Sequence, residues 1–282
     1  MEYKPSRTAL GVAVRRAAHQ LVDHPKVFDD PLALAIIGPE VAAKLTSSAS
    51  RSAHALQALG AFVVVRSRYA EDQLAKAVDS GVRQYVVLGA GLDTFAFRNT
   101  HAGVGLRVFE VDHPSTQMWK QQQLKTSGIL IPPEAIFVPV NFEQQSLGDE
   151  LRSAGFRSDE SAFFAWLGVV PYLTENAFTA TASYVAAMPP GSGLVFDYAV
   201  AKSVLNFLQR IALDALAWHV ARAGEPFQLF FDPQELAAKL RALGFHHLED
   251  LGIEEINARY FRDRSDNFRV RGGLGRLMGA WV

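Results

Sequence analysis

The chain has no cysteine, only four methionines and almost no net charge. Without cysteine there can be no disulfide, no thiolate-bound zinc or iron–sulfur centre, and no thiol nucleophile. With 28 lysines and arginines against 29 aspartates and glutamates the formal net charge is −1. No global field therefore draws nucleic acid or an anionic membrane, and neither is expected as a partner. Long apolar runs are scarce too. The uncharged stretch Ser161 to Thr174 is too short to cross about 30 Å of hydrocarbon. The opening, MEYKPSRTALGVAVRRAAHQ, sets arginines within its apolar stretch, unlike a signal peptide. There are no internal repeats and no low-complexity segment. A cytoplasmic globular protein without a metal site is expected, and its 282 residues suffice for a sizeable core without covalent staples.

What is present changes character near residue 82. Upstream, Leu10, Val14, Ala17, Ala18 and Leu21 recur at helical spacing over 7–22. Asp29-Asp30-Pro31 makes a turn, with Pro31 placed to open a helix. The Ser/Ala stretch 46–53 reads as a loop or helix entry, and a long helix is predicted from about Leu59 to Asp79. Downstream, wholly apolar runs recur at Tyr85–Leu88, Val108–Val111, Ile136–Val140, Phe163–Leu167 and Leu194–Phe196. Strands apolar on both faces belong to parallel sheets covered by helices, and the intervals suit βαβ units. The prediction is an α/β protein with a doubly wound, mostly parallel sheet. Residues 202–223 are apolar almost all round, which predicts a buried helix. Asp232-Pro233 opens another helix over 232–243, closed by Gly244. Six tail arginines (259, 262, 264, 269, 271 and 276) read as a solvated face. The expected organisation is a helical cap over 1–81, part of the same domain as a core over 82–282, with a helical insertion at about 200–231.

The most informative stretch is the strand Tyr85–Leu88 running into Gly89-Ala90-Gly91, where doubly wound sheets bind ligands. Asp112 follows Gly91 by 21 residues, at the end of the second strand, where a carboxylate accepts hydrogen bonds from a ribose diol. Glu110 shares its face of that strand. Gly-Ala-Gly alone fits a tight turn equally well; the strand before it and the acid after it point to a nucleoside-type ligand. A dinucleotide would want a third glycine, but Thr94 stands there, and Asp93 occupies the place of the phosphates. An anion there repels a pyrophosphate. It suits S-adenosylmethionine, which has no phosphate but carries a sulfonium and an ammonium group; Asp93 also suits an N-cap.

Val86-Val-Leu-Gly-Ala-Gly-Leu-Asp-Thr94 followed by Arg98 resembles the first motif of the leucine carboxyl methyltransferase family, and Phe109-Glu-Val-Asp-His-Pro114 with Lys120 resembles its second. Arg15-Arg16 ahead of Asp30-Pro31, the segment Arg66-Ser-Arg-Tyr-Ala-Glu-Asp72, and Trp166-Leu-Gly-Val-Val-Pro-Tyr-Leu-Thr174 also fit. The likeness covers most of the chain and is nearest to the bacterial branch associated with small-molecule O-methyl transfer. It implies a seven-stranded, Rossmann-like class I methyltransferase. It also implies S-adenosyl-L-methionine as cofactor, and a carboxylate or hydroxyl of a small organic metabolite as acceptor. It further implies that Arg66, helped by Arg68 or Arg16, pairs with the methionyl carboxylate, and that Gly89, Ala90 and Gly91 pass beneath the methionine. Glu110 and Asp112 would hold the ribose, and Asn141 and Phe142 would flank the adenine. Two departures stand out: Asn141 replaces a common acid, and Leu167 stands where carboxyl methyltransferases have a glutamate near the methionyl amine.

No motif marks a catalytic base. Tyr172 after the fourth strand, with His19, His54 and His219, are the substrate-side candidates. His113 either touches adenine or begins the helix at Pro114. The N-terminal helices and the 202–223 helix are expected to close over an apolar acceptor site, with aromatic residues 218, 227, 230 and 231 nearby. Two other readings compete. Tyr198-Ala-Val-Ala-Lys202 has the Tyr-x-x-x-Lys spacing of NAD(P)-linked short-chain dehydrogenases, but directly after a strand rather than within a helix. A regulatory protein that binds S-adenosylmethionine without turnover would retain the same glycines and acids. Oligomeric state is left open.

Overall fold

The computed structural model describes residues 7–141, 145–222 and 226–282; the side chains of 7, 48–59 and 219–222 lie outside that description. Among the described residues three helices precede the first strand: α1 (Arg7–Val22), α2 (Ala33–Ile36) and α3 (Pro39–Asp79). The helix α3 starts twenty residues earlier than the sequence predicts, and the Ser/Ala stretch read as a loop lies within it. The reason is local. Pro39 occupies the first turn, and no glycine or proline interrupts residues 40–59, so nothing breaks the backbone hydrogen bonding.

Seven strands follow: β1 (Gln84–Leu88), β2 (Arg107–Asp112), β3 (Ala135–Pro139), β4 (Phe163–Trp166), β5 (Gly193–Ala199), β6 (His247–Leu251) and β7 (Gly275–Trp281). They form one sheet in the order β3-β2-β1-β4-β5-β7-β6. The pairs joining β1 to β5 are parallel, and β7 runs antiparallel between β5 and β6. This is the mostly parallel, Rossmann-like seven-stranded sheet of class I methyltransferases. Every residue of β1 is buried. Tyr85 and Val87 pack on one face with α3, while Val86 and Leu88 pack on the other. That second layer holds α5 (Leu147–Ser153), α6 (Glu175–Ala186) and α8 (Pro233–Leu243). A third cluster joins α1 and α2 to Leu92 and to Leu124 of α4 (Pro114–Thr126).

The chain crosses from β3 over β1 to β4, so the carboxyl ends of β1 and β4 sit side by side at the point where strand order reverses. Ligands bind at such crevices.

Two expectations are corrected. The apolar 202–223 stretch forms a 3-10 turn and then α7 (Phe207–Arg222), but it is not buried all round. Leu205 and Leu213 pack with Val200, whereas Phe207 and Leu208 are each 74% exposed. The helix lies on the outside of the molecule, and among its described residues only Leu213 is fully buried. The tail arginines are likewise not simply solvated: Arg276 pairs with Asp250 and Arg264 with Asp266, the latter guanidinium lying over Phe268. The capping of α8 agrees with the sequence. The Asp232 carboxylate accepts from the N–H groups of Gln234 and Glu235, and Gly244 ends the helix in the left-handed conformation. Asp232→Ala is expected to cost about 1 kcal/mol, read as a lower urea midpoint at unchanged slope.

Candidate active site

The crevice opens into a cavity of about 1030 Å³. Its floor is the turn after β1, where Gly89 and Gly91 take positive φ of 66° and 47°, a conformation that favours glycine. The Gly91 N–H donates to Asp112 Oδ2 at 2.6 Å, and the His113 N–H donates to Oδ1 at 2.7 Å. Asp112 is thereby fixed at the end of β2 with its carboxylate facing the cavity. Burial pushes its carboxyl up, and those two N–H groups work against the rise.

Asp93 also lines the cavity. Its Oδ1 accepts from the Phe95 N–H at 2.8 Å, and its Oδ2 lies 3.7 Å from Arg16. Burial works to raise its pKa, but Arg16, Lys120 and Arg98 outweigh it, and the net shift is downward. Arg16 is buried and engaged elsewhere, donating to Leu92 O at 2.6 Å and lying 3.3 Å from Asp30.

On the β4–β5 side, Arg66 Nη1 donates to Asp197 Oδ2 at 3.1 Å, and the Gly168 N–H donates to Oδ1 at 2.5 Å. Gly168 has φ of 72°, and a Cβ there would sit 2.6 Å from the Arg66 guanidinium. Glycine is thus what lets α3 bring this arginine over the turn after β4. Beside it stands Arg15, which the sequence reading passed over for its neighbour. Arg15 donates to its own helix at Gly11 O, but its Nε has no hydrogen-bond partner, and no carboxylate pairs with it among the described residues. Burial and the adjacent Arg66 push its pKa down.

Not all the expected residues come together. Gly89, Ala90, Gly91, Asp93, Asp112, His113, Leu167, Arg16, Arg66 and Tyr172 line the cavity. Arg68 points away, pairing with Asp72 and with Val27 O. Glu110 is 1% exposed and faces Lys120 at 2.7 Å rather than the cavity. Burial raises its carboxyl to about 7, despite Lys120. Asn141 donates its N–H to Gln145 Oε1; Gln145, Ser146 and Leu147 are the residues that reach the cavity there. Phe142 and the side chains of His54 and His219 lie outside the described residues. His19 is buried in α1, where its Nδ1 meets Asp23 and its Nε2 faces the N–H groups of Val27 and Phe28. His113 caps α4 through Ser115. Of the expected aromatic residues Phe227 lines the cavity, whereas Phe230 packs under α7, Phe231 lies in the core and Trp218 is exposed. Tyr198 and Lys202 do not form a dehydrogenase pair: Tyr198 donates to Asp250, and Lys202 pairs with Asp214.

The model of the family described as leucine carboxyl methyltransferase matches residues 9–186. The chain belongs to the leucine carboxyl methyltransferase family. Its relatives include a Bacillus subtilis (strain 168) protein, YktD, named as an S-adenosyl-L-methionine-dependent methyltransferase, which is 34% identical over 93% of each chain. A similarly named protein of Frankia alni is 34% identical over 68% of each chain. Among solved structures, the fold is similar to a protein of Thermobifida fusca YX described as a methyltransferase. The TM-score is 0.60 at 18% identity, covering 99% of this chain and 95% of that one. As a member of this family the protein is an S-adenosylmethionine-dependent methyltransferase.

The residues present fit this cofactor. Asp112 offers acceptor lone pairs at the strand end where a ribose would lie, and the Arg66 guanidinium over Gly168 could face a methionyl carboxylate. Arg16, which donates to Leu92 O just after the glycine turn, is already engaged by Asp30 and Asp93, so it is not free for a pyrophosphate.

Proposed function

We propose that the protein methylates the carboxylate of a small, largely apolar organic acid. What carries this reading is that, among the described residues at the acceptor end of the cavity, no base stands free. Among the described cavity-lining residues the carboxylates are Asp93, Asp112 and Asp197, and each is held by N–H donors or arginine. The one histidine, His113, stands at the β2 end and caps α4. An alcohol or phenol needs a base within hydrogen-bond reach, but an ionised carboxylate does not. The wall beyond Arg66 is apolar, built from Phe62, Leu213, Leu216, Phe227 and Leu274. Tyr172, its ring 5.3 Å from Phe227, supplies a polar edge.

In this reading each residue has a positional task. Asp112 accepts from the ribose diol, Arg66 faces the methionyl carboxylate, and Gly89 to Gly91 leave room beneath the methionine. Gln145 to Leu147 lie along the adenine. Arg15 and Tyr172 hold the acceptor carboxylate. The helices of residues 1–81 serve as a cap over the 82–282 core, with Arg15 and Arg66 as their contribution to the site. When bound, S-adenosylmethionine supplies an electrophilic methyl group. The protein's contribution is to align an oxygen with it in a dry, apolar space, which is where most of such a rate enhancement arises.

Labelled-methyl transfer into a panel of aliphatic and aromatic acids, with matched alcohols and phenols, tests the reading. The product expected is a methyl ester that releases methanol in alkali. An alkali-stable ether overturns carboxyl methylation, and cofactor binding with no transfer to any acceptor would favour a silent binding protein. Arg15→Gln is expected to raise KM for the acid at least tenfold with little change in cofactor affinity. An equal loss in cofactor affinity would instead move Arg15 to the methionyl carboxylate.

A further inference from the structure

The outer face of α7 has no part in the site just described. Its exposed residues fall on one stripe. At 100° per residue, Phe207, Leu208, Ile211, Ala215 and Trp218 span about a quarter of the helix circumference. Leu213, 1% exposed, faces the opposite way into the protein. Phe207 and Leu208 are 74% exposed, Ile211 53% and Trp218 62%, and Val204 just before the helix is 47% exposed. Single exposed apolar side chains are ordinary on a protein surface, whereas a contiguous aromatic and aliphatic stripe marks an interaction face.

The charges beside the stripe select the occupant. Arg210 and Asp214 are both exposed and lie one turn apart along the same edge of it. The opposite edge carries Ala212. When two copies of a helix meet face to face about a two-fold axis perpendicular to them, they run antiparallel and the same edge of each lies side by side. Arg210 then comes beside Asp214 of the partner subunit, twice by symmetry, while Ile211 sits near the axis. Such self-complementarity is the requirement for an isologous interface. Arg210 has no carboxylate partner within its own chain among the described residues, its Nε donating to Leu205 O; Asp214 pairs with the exposed Lys202 of its own chain and keeps carboxylate lone pairs for a second cation.

We propose that α7 is a homodimer interface in which the Phe207–Leu208–Ile211 stripe packs antiparallel on its counterpart. A 16-residue helix is about 24 Å long, and a seam about 10 Å wide along it is smaller than the roughly 800 Å² per partner of a standard interface. The dimer is therefore weak and concentration-dependent, with Val204 extending the seam. Because Leu213 and Leu216 of the same helix line the cavity, pairing also buttresses the acceptor wall from outside. The inference does not depend on which acceptor is methylated.

Sedimentation velocity from about 1 to about 100 μM, a range bracketing a small interface, tests it on the full chain. The wild type is expected to shift from monomer to dimer across that range, and Ile211→Asp to stay monomeric with an unchanged melting temperature. Arg210→Glu should weaken the dimer at least tenfold, and Arg210→Glu with Asp214→Arg should restore it. A wild type that is monomeric throughout overturns the proposal. So does a dimer that survives Ile211→Asp, or a charge exchange that fails to restore pairing. A monomer that binds phosphatidylserine vesicles through Phe207 and Leu208 assigns the face to a lipid surface and overturns it equally.

Discussion

Lys120→Met is expected to destabilise the protein by about 3–5 kcal/mol at pH 8, the usual consequence of removing one member of a buried ion pair. Lys120 Nζ lies 2.7 Å from the Glu110 carboxylate, and each residue is 1% exposed. Without the ammonium, Glu110 becomes an unpaired anion in a dry interior. Even with Lys120 present, burial holds the Glu110 carboxyl at about 7, against an ordinary 4.5. The sign of the pH dependence follows. Folded Glu110 takes a proton more readily than unfolded glutamate, so its contribution to stability is complete below about pH 4.5 and lost as pH rises through about 7. Removing Lys120 drives the carboxyl higher still. The penalty in Lys120→Met should therefore be greatest at pH 8 and shrink on acidification toward pH 5.5. Urea melts at the two pH values measure it, and Glu110→Gln combined with Lys120→Met should recover most of the loss. A penalty independent of pH, or a double variant no better than the single one, would show that the stranded carboxylate is not the cause.

Asp112→Ala is expected to weaken S-adenosylmethionine binding at least tenfold, or ~1.4 kcal/mol. The carboxylate has two tasks that the variant removes together. It accepts from the N–H groups of Gly91 and His113, fixing the glycine turn, and it keeps lone pairs for a diol. Asp112→Asn separates them, since an amide oxygen still accepts one of those N–H groups while the amide nitrogen meets the other donor. Its affinity should fall between the wild type and the alanine variant. Calorimetry with S-adenosylmethionine and S-adenosylhomocysteine, beside melting temperatures for each variant, gives the answer. Unchanged affinity in a folded Asp112→Ala protein would fault the assignment of the ribose.

The parallel core was readable because its strands are short, apolar on both faces and regularly spaced. The antiparallel edge was not readable by the same means. β6 carries Glu249 and Asp250 because its polar side chains meet Tyr69, Gln73, Arg259 and Arg276. β7 contains Gly275 and Gly279, with Phe62 and Tyr69 of α3 packed where side chains would otherwise stand. Periodicity and propensity report burial against apolar neighbours: β6 does not offer that pattern, and in β7 the glycines interrupt a run whose Leu277, Met278 and Ala280 are nonetheless buried.

The site divides along a similar line. The glycine turn and Asp112 lie close in sequence and carry a spacing of their own. Arg15 and Arg16 carry no such mark: adjacent residues on a helix point about 100° apart, and only the packing of α1 decides which one faces the cavity. The Glu110 side chain was misplaced for a related reason. A period of two puts it on the same face as Asp112, but Asp112 ends the strand beside the crevice whereas Glu110 lies beneath α4 and Lys120. Leu205 and Phe207 likewise look interchangeable in sequence, yet one is buried and the other is bare.

The interleaving of β7 between β5 and β6 has a consequence for the order in which the molecule assembles. Among the described residues β6 pairs with β7 and with no other strand, so it has no place in the sheet until residues 275–281 have docked along β5. The bond from Tyr69 to Glu249 spans 180 residues, and that from Arg66 to Asp197 spans 131. Contacts so distant along the chain form late, because the loops they close cost entropy before any contact offsets it. A partly folded chain would thus hold the nucleoside end of the site, built from β1 and β2, before the end that aligns the methyl acceptor. Binding would precede catalytic competence during folding.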